Sequence, residues 1–257
     1  MLSNINFKKN FKDKNILITG ASTGLGLACV KQYLELGAIV YGTSYKNTKN
    51  LIKIKKQYKK KFNYFEANLN NISNIKLLHE DYKNQYKKID IIIHALGGGF
   101  GLTDDTLSHS DFLKLFNLNI GVSAEINRLF IKLFDKKGGN IMHVGSTASV
   151  QAIGSTGYNT VKTGLKAYVK TFARKNLHKN IVVNSILPGA FIAPMNHFER
   201  KKKIDKKEFD KFQNKITSQK ILTYKELMPM ILLITSKYGI MTSGSNILID
   251  NSETDAI

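Results

Sequence analysis

The sequence predicts one α/β domain in which seven parallel strands form a doubly wound sheet with helices on both faces. Three observations lead to this fold class. Short apolar runs alternate with helix-length segments along the 257 residues, which is typical of βαβ units. The runs at residues 89–95 and 181–187 are almost continuously apolar, as strands covered on both faces usually are. The first strand leads directly into a glycine-rich turn that opens a helix.

Each element follows from its local pattern. The segment between the sixth strand and the last helix, residues 191–220, is polar, and we expect it to be an irregular insertion. Strands are expected over short β-rich runs at residues 16–19, 39–43, 64–66, 90–95, 140–145, 182–187 and 246–249. Helices are expected at residues 25–36, 48–60, 73–86, 110–134, 156–177 and 224–236.

The composition excludes several classes of protein. The formal net charge is +20, yet only three of the 39 basic residues are arginine. Because base readers favour the guanidinium fork, these lysine-rich faces indicate solvated surface and no specific nucleic-acid partner. Cys29 is the only cysteine and the histidines lack ligand spacing, so neither a disulfide nor a metal site is expected. The N-terminus has no signal-peptide pattern and no apolar run approaches a membrane span, so we expect a cytoplasmic protein that does not enter a membrane.

The glycine-rich turn suits a phosphate group. Residues 19–26 read Thr-Gly-Ala-Ser-Thr-Gly-Leu-Gly between the first strand and the first long helix. Glycines at 20, 24 and 26 permit a tight turn, close approach of the backbone to a pyrophosphate, and close packing of helix against strand. The free N–H groups of the helix N-terminus favour the same anion. The spacing is not Gly-x-Gly-x-x-Gly, so its position between strand and helix is what supports the interpretation.

Tyr158 and Lys162 have the spacing of neighbours on one helix face. A positive charge about 5 Å from a phenol, at an effective dielectric constant of about 20, contributes roughly 3 kcal/mol toward the phenolate. That is about 2.4 pKa units, which predicts a tyrosine pKa near ~7.5. A group that titrates there can exchange a proton in step with chemistry at carbon.

Together these motifs resemble those of the short-chain dehydrogenase/reductase family, in the compact branch that includes the 3-oxoacyl-[acyl-carrier-protein] reductases. The resemblance covers residues 14–250 and implies a Rossmann-type fold. It further implies one dinucleotide-binding catalytic domain over residues 1–257, with a substrate lid at about 190–220. Five matches occur in the family's order: the glycine turn, Asn119, Ser146, the Tyr158–Lys162 pair, and Pro188 with Gly189.

The resemblance implies a proton relay. Tyr158 is expected to protonate a carbonyl oxygen or deprotonate an alcohol, while Ser146 holds that oxygen. Lys162 is expected to lower the pKa of Tyr158 and to bind the nicotinamide ribose. Asn119 is expected to anchor a water that connects Lys162 to solvent.

The resemblance also implies where the cofactor binds. NAD-dependent relatives carry aspartate at the position of Ser44, and Lys46 follows, so NADP is favoured, with these two residues at its extra phosphate. Thr23 stands at a position that is often basic in NADP-dependent relatives, which keeps NAD as the alternative. The expected cofactor contacts are Gly20, Ser22, Thr23, Gly24, Leu25, Gly26, Ser44, Lys46, Asn68, Leu69, Ala95, Leu96, Gly97, Tyr158, Lys162, Pro188, Gly189 and Phe191.

Four positions depart from the family pattern. His94 replaces an asparagine that stabilises the sheet, and we expect a hydrogen-bonded structural histidine. Asn68 replaces an aspartate near the adenine, and Ala193 replaces a threonine near the carboxamide. Residues 251–252 read Asn-Ser instead of the usual glycine pair. None of these positions belongs to the relay, so activity is expected to survive.

The substrate pocket is expected between the lid and the loops 97–105 and 147–155. Ser146, Tyr158, Phe191, Met195 and Phe198 are the candidate substrate contacts, with core packing as the alternative for the lid residues. The basic lid favours a small-molecule or carrier-bound anionic substrate, with a 3-oxoacyl thioester as the first choice. A sugar or nucleotide sugar of surface-glycan synthesis is the alternative, and a non-catalytic dinucleotide-binding scaffold or sensor is the alternative of another class. The resemblance implies a homotetramer, or a dimer.

Overall fold

The computed structural model describes residues 6–256, in which the predicted seven-stranded parallel sheet is present in full. Every predicted strand is found, with bounds that shift by no more than a few residues. The sheet strands are β1 (Asn15–Thr19), β2 (Ile39–Ser44), β3 (Phe62–Glu66), β4 (Ile91–His94), β5 (Gly139–Val144), β6 (Ile181–Pro188) and β9 (Asn246–Ile249). The helices are α1 (Phe7–Phe11), α2 (Gly24–Glu35), α3 (Lys49–Tyr58), α4 (Ile72–Gln85), α5 (His109–Phe116), α6 (Val122–Phe130), α7 (Thr156–Asn176), α8 (His197–Ile204), α9 (Lys206–Lys215) and α10 (Tyr224–Thr235).

The strand order places a crevice at the centre of the sheet. The order is β3-β2-β1-β4-β5-β6-β9, and every neighbouring pair is parallel. The chain winds outward in one direction from β1 to β3 and in the other from β4 to β9. In doubly wound sheets, ligands bind beyond the carboxyl ends of the strands where the winding reverses. That position lies between the ends of β1 and β4.

Two apolar layers cover the sheet. Helices α2 and α10 pack on one face around a cluster that includes Ile18, Val40 and Ile231. Helices α4, α6 and α7 pack on the other face, around Leu17, Ile126 and Val169. Consecutive strand residues point to opposite faces, so Leu17 and Ile18 serve different layers. The continuous apolar pattern of these strands therefore has the predicted cause.

The insertion at 191–220 is not irregular, and here the sequence-based expectation was wrong. It contains α8, α9 and β7 (Phe191–Ile192), and β7 pairs in parallel with β8 (Leu222–Thr223), which follows the segment. Asn196 caps the N-terminus of α8, and Asp205 caps that of α9. Each cap side chain accepts a hydrogen bond from the backbone N–H of the residue three positions later. These lysine-rich helices nevertheless have a small apolar face, since Phe209 is buried and the rings of Phe198 and Phe212 pack at a tilt with their centroids 5.4 Å apart.

The predicted helix at residues 110–134 is interrupted. A π-helical turn at Asn117–Gly121 separates α5 from α6, and a 3-10 turn, Ile131–Leu133, ends the run. A π turn adds a residue to the helical repeat and often occurs at functional positions. It contains Asn119, one of the predicted site residues. Helix α1 was not predicted, because its five residues are too short for a periodic signal.

Candidate active site

The glycine turn after β1 contacts the end of β2 and the loop after β4. Gly20 has a φ of +68°, and a Cβ there would lie 3.1 Å from the carbonyl carbon of Ala95. Only glycine combines that backbone conformation with that close approach. Ala21 N–H donates to the Thr43 carbonyl at 2.8 Å, and Leu96 N–H donates to the Thr19 hydroxyl at 3.2 Å. The predicted contact residues of the turn and of the loop after β4 therefore lie side by side at the crevice.

Gly24 begins helix α2, and its N–H has a partner from the lid. It donates to the Pro194 carbonyl at 2.5 Å. Thr23, the N-cap residue, makes no side-chain cap hydrogen bond, so no cap side chain competes with an anion for the next N–H groups of α2. The lid thus contacts the glycine turn directly, which the sequence did not predict.

Ser146 and Tyr158 meet at the carboxyl end of β5. The Ser146 hydroxyl oxygen accepts from Ala148 N–H at 3.1 Å, as the N-cap of a short 3-10 turn. A hydroxyl has one proton and two lone pairs, so this bond leaves the Ser146 proton available to another acceptor. Tyr158 is near enough to Ser146 for a hydrogen bond between the two side chains to act on the pKa of Tyr158. The two residues can therefore bind one substrate oxygen together.

Lys162 lies beneath this pair and is almost completely buried. Its side chain is 3% exposed, its Nζ donates to the Val144 carbonyl at 3.1 Å, and Nζ lies 5.5 Å from the centre of the Tyr158 ring. The predicted neighbours on one helix face are thus in contact. The Val144 carbonyl, at the end of β5, is a partner that the spacing of the motif could not reveal.

The pKa values correct one expectation. Burial raises the pKa of Tyr158 above its ordinary value of 10.0, and the hydrogen bond with Ser146 opposes that rise only in part. Burial also lowers the pKa of Lys162 to about 8. The expectation from sequence considered only the charge of Lys162 at an effective dielectric constant of about 20. It omitted the desolvation that burial imposes on both side chains. The predicted lowering of the Tyr158 pKa is therefore not found in the protein alone.

Asn119 holds the loop after β4 through its side chain. Its Nδ2 donates to the carbonyls of Gly98 and Leu115, both at 2.9 Å, and its Oδ1 accepts from Gly98 N–H at 3.2 Å. A Cβ at Gly97 would lie 2.9 Å from Asn119 Oδ1 and 3.2 Å from Lys162 Nζ. Glycine at 97 thus keeps open the space between the asparagine and the lysine.

Ser44, Lys46 and Asn68, which are predicted to lie near the adenosine of the cofactor, differ in their burial and hydrogen bonding. Ser44 is buried at the end of β2 and donates its hydroxyl to the Lys46 carbonyl at 2.6 Å. Lys46 is exposed, with its Nζ 5.6 Å from the centre of the Tyr45 ring. Asn68 is exposed and accepts from Asn70 N–H at 3.1 Å, beside buried Leu69. Of the two predicted phosphate contacts, Lys46 is the one whose polar group is free to reach a ligand.

The turn after β6 is held by the C-terminal tail. Pro188 pairs with Ile249 of β9, and Gly189 N–H donates to the Ile249 carbonyl at 3.2 Å. Ala190 N–H donates to the Glu253 carboxylate at 2.5 Å. Phe191 is partly buried against the α2 layer. Glu253 is a residue that sequence reasoning missed, because nothing in its local pattern marks a carboxylate near the chain end.

Met195 and Phe198, two of the candidate substrate residues, make contacts with residues outside the group of Ser146 and Tyr158. Met195 is 45% exposed, and its sulfur accepts from Asn50 of α3 at 3.7 Å, on the side of the glycine turn. Phe198 packs on Phe212 within the lid. The contact of Phe198 thus favours core packing, the alternative given for the lid residues. Ser146 and Tyr158 remain grouped at the end of β5.

His94 is a structural residue, although only one of its nitrogens has a partner. Nε2 bonds Asn127 Oδ1 at 2.8 Å, and Asn127 Nδ2 donates to the Tyr168 hydroxyl at 3.0 Å. The ring stacks on His143 of β5 at 4.5 Å. Burial lowers the pKa of His94 to about 4, so the ring is neutral near pH 7. Its Nδ1 and Nε2 of His143 lack a hydrogen-bond partner among the described residues.

A doubly wound sheet with a tyrosine, a lysine and a serine grouped at the carboxyl ends of its strands is the arrangement of an oxidoreductase. The model of the short chain dehydrogenase family matches residues 14–204, which is more than half of the chain. The chain therefore belongs to the short-chain dehydrogenase family. Among the described residues, no helix is long and apolar enough to cross a membrane.

Similar proteins differ in the substrates that their names state. A 3-oxoacyl-[acyl-carrier-protein] reductase FabG of Thermotoga maritima is 25% identical over 92% of this chain and 96% of its own. A 7alpha-hydroxysteroid dehydrogenase of Paraclostridium sordellii is 30% identical over 69% of each chain. The crystal structure of an L-sorbose reductase of Gluconobacter frateurii, complexed with NADPH and L-sorbose, has a TM-score of 0.86, with 19% identity over 97% of this chain and 100% of its own. That last likeness shows the fold alone.

Proposed function

We propose that the protein is an NAD(P)-dependent oxidoreductase that interconverts a carbonyl group and a secondary alcohol, with Tyr158 as general acid and base. The main support is the arrangement of Tyr158 and Ser146 at the end of β5, with the Lys162 ammonium buried behind the phenol. A scaffold that only binds a dinucleotide could use Lys162 at the ribose, but it has no use for a tyrosine grouped with Ser146.

The residues around the crevice fit a dinucleotide. Gly20 brings the backbone of the turn against the loop after β4, and the N–H groups of Leu25 and Gly26, which follow Gly24 in the first turn of α2, would donate to a phosphate there. Lys162 and Tyr158 would hold the nicotinamide ribose, and the turn at Pro188–Phe191 would lie beneath the ring. Backbone groups of Ser22, Thr23, Leu25 and Ala95–Gly97, with Asn68 and Leu69, would hold the rest. When bound, the nicotinamide supplies or accepts the hydride.

The chain's own residues then move a proton. In the direction of reduction, Tyr158 gives its hydroxyl proton to the substrate oxygen as negative charge develops there. Ser146 keeps its own proton for a hydrogen bond to that oxygen, since Ala148 N–H occupies a lone pair. Lys162, with a pKa of about 8, is mostly protonated at pH 7 and stabilises the tyrosinate that forms. The space that Gly97 keeps open beside Asn119 would admit the water that recharges the lysine.

NADP is the preferred form of the cofactor, because the exposed ammonium of Lys46, just after β2, could bind the 2′-phosphate that NADP has and NAD lacks. We expect Lys46→Glu to weaken NADPH binding about tenfold or more, since a like charge replaces an opposite one, and to leave NADH within about twofold. Titration of each reduced cofactor by its fluorescence measures both constants. The control is Lys53→Glu on α3, which changes net charge equally from an exposed position further along the helix. Equal losses for both cofactors, or in both variants, would contradict the assignment.

The substrate that we propose first is a 3-oxoacyl thioester. Support comes from the Thermotoga maritima relative, which aligns over nearly the whole length of both chains, and from the basic lid, which suits an anionic carrier or small molecule. A sugar or nucleotide sugar is the second candidate, favoured by the exposed polar lid that tops the site. We further propose a cytoplasmic enzyme that assembles as a homotetramer or dimer, since Leu113 and Phe116 leave an apolar strip exposed on α5.

Turnover distinguishes these candidates. NADPH and NADH consumption would be followed with acetoacetyl-CoA and, separately, with ketoses, in the wild-type chain and in Tyr158→Phe. Turnover of the thioester that disappears in the variant supports the first substrate class, and turnover of ketoses alone supports the second. Cofactor binding without turnover of any carbonyl compound would favour the scaffold or sensor. A chain that binds neither NADP nor NAD would refute the proposed function.

A further inference from the structure

The residues after β9 fold back over the carboxyl end of β6. Asp250 fixes this tail by accepting from Thr254 N–H at 2.9 Å and from the Thr254 hydroxyl at 2.7 Å. Further along, Asp255 N–H donates to Gln151 Oε1 at 3.2 Å, which ties the tail to the loop after Ser146. The tail therefore joins two segments that the proposed function places around the reacting groups.

Glu253 occupies the centre of this connection. One oxygen of its carboxylate accepts from Ala190 N–H at 2.5 Å, and a Cβ built on Gly189 would collide with the same oxygen. The proposed function assigns the turn Pro188–Phe191 to the nicotinamide. The Glu253 carboxylate is bonded to a backbone N–H of that turn, so it belongs to the same part of the proposed site.

Glu253 lies where water has limited access to its carboxylate. The residue is half-buried; burial and the charge of neighbouring Asp250 raise the pKa of its carboxyl group, while the bond from Ala190, which favours the carboxylate, opposes the rise. Water screens a charge poorly in such a position. An ammonium or carboxylate at the open surface would have a much weaker effect on a ligand in the crevice.

We propose that Glu253 is a cofactor-positioning residue whose negative charge favours the oxidised, cationic nicotinamide over the reduced, neutral ring. This inference rests on the proposed function. In carbonyl reduction the bound cofactor would supply the hydride to the carbonyl carbon and so change from a neutral to a cationic nicotinamide, while Tyr158 gives the proton to the oxygen. The Glu253 carboxylate would stabilise the cationic form, and so would favour hydride donation and retain the oxidised cofactor.

The test compares the affinities of the two redox forms. Glu253→Gln keeps an acceptor for Ala190 and removes the charge, whereas Glu253→Asp keeps the charge. We expect Glu253→Gln to weaken NADP⁺ binding about tenfold and to change NADPH binding by less than about twofold. Glu253→Asp should retain most of the preference for NADP⁺. The matched control is Asp255→Asn, which removes an exposed carboxylate from the same tail and should leave both constants unchanged.

Calorimetric titration of each variant with NADP⁺ and NADPH gives the constants without any substrate. Equal weakening of both forms in Glu253→Gln would overturn the inference, because it would reduce Glu253 to a clamp on the Ala190 turn. Unchanged binding of both forms would overturn it as well. If the wild-type chain binds NADP and NAD in neither redox form, the proposed function itself fails, which is a different result from loss of discrimination in the variant.

Discussion

Tyr158→Phe is expected to lower kcat/KM by about 10³-fold, within the range of up to about 10⁴ that general acid–base catalysis contributes. In the proposed mechanism the substitution removes the proton that the substrate oxygen receives. The ring is retained, so its contact with Lys162 persists. Cofactor affinity should therefore change little. Steady-state kinetics and a cofactor titration on the same preparation check both statements.

Ser146→Ala is the informative companion to that variant. It removes the hydroxyl that orients the substrate oxygen and leaves the proton donor in place, so we expect a smaller loss, of about 10²-fold. The double variant should fall little below Tyr158→Phe alone, because residues that act on one oxygen are not additive. An active Tyr158→Phe enzyme would show that the proton comes from elsewhere. Losses that multiply fully would show that the two residues act at separate points.

The fold was predictable because the strands have a strong local signal. Runs such as Ile91–His94 and Ile181–Pro188 are apolar on both faces, which few structures other than a buried parallel strand explain. The lid helices had no such signal. Their residues are mostly charged or polar, and α8 has no fully buried residue, so their stability comes from caps and from Phe209 in the first half of α9. Tertiary packing of one aromatic residue is invisible to a periodicity argument.

The proximity of candidate site residues was predictable where it follows from spacing along one element, and unpredictable where residues meet through the fold. Tyr158 and Lys162 are neighbours because a helix makes them so. The Glu253–Ala190 bond joins residues 63 positions apart, and the contact of Gly24 with Pro194 joins the turn to the lid. Desolvation is also a property of the folded chain. The pKa of Tyr158 could therefore not be inferred from the charge of Lys162 alone.

Lys162→Met is expected to lower kcat/KM by about 10²- to 10³-fold and yet to make the protein more stable at pH 7. The activity falls because the tyrosinate loses its buried counter-charge. The stability rises because the pKa of the lysine falls from an ordinary 10.5 to about 8 on folding, so the folded chain carries a charge that burial disfavours. That difference corresponds to roughly 3 kcal/mol. Loss of the hydrogen bond to the Val144 carbonyl destabilises the variant by about 1 kcal/mol, which leaves a net increase in the free energy of unfolding of roughly 2 kcal/mol.

The dependence on pH identifies the cause of that gain. Below pH 8 the lysine is protonated in both the folded and the unfolded chain, so the wild type bears the full cost of burying the charge. Between pH 8 and 10.5 the unfolded chain holds more protons, so wild-type stability rises with pH, and above 10.5 the cost is gone. Urea unfolding at pH 7 and above pH 10.5 should therefore show an advantage of Lys162→Met that disappears in alkali. Lys166→Met, one turn along α7, removes a lysine that bonds the Ser149 carbonyl at 3.2 Å from a less buried position, and it should show no such advantage. A destabilised Lys162→Met at pH 7, or an advantage that persists in alkali, would mean that the lysine is structural and that its burial is not a cost borne for catalysis.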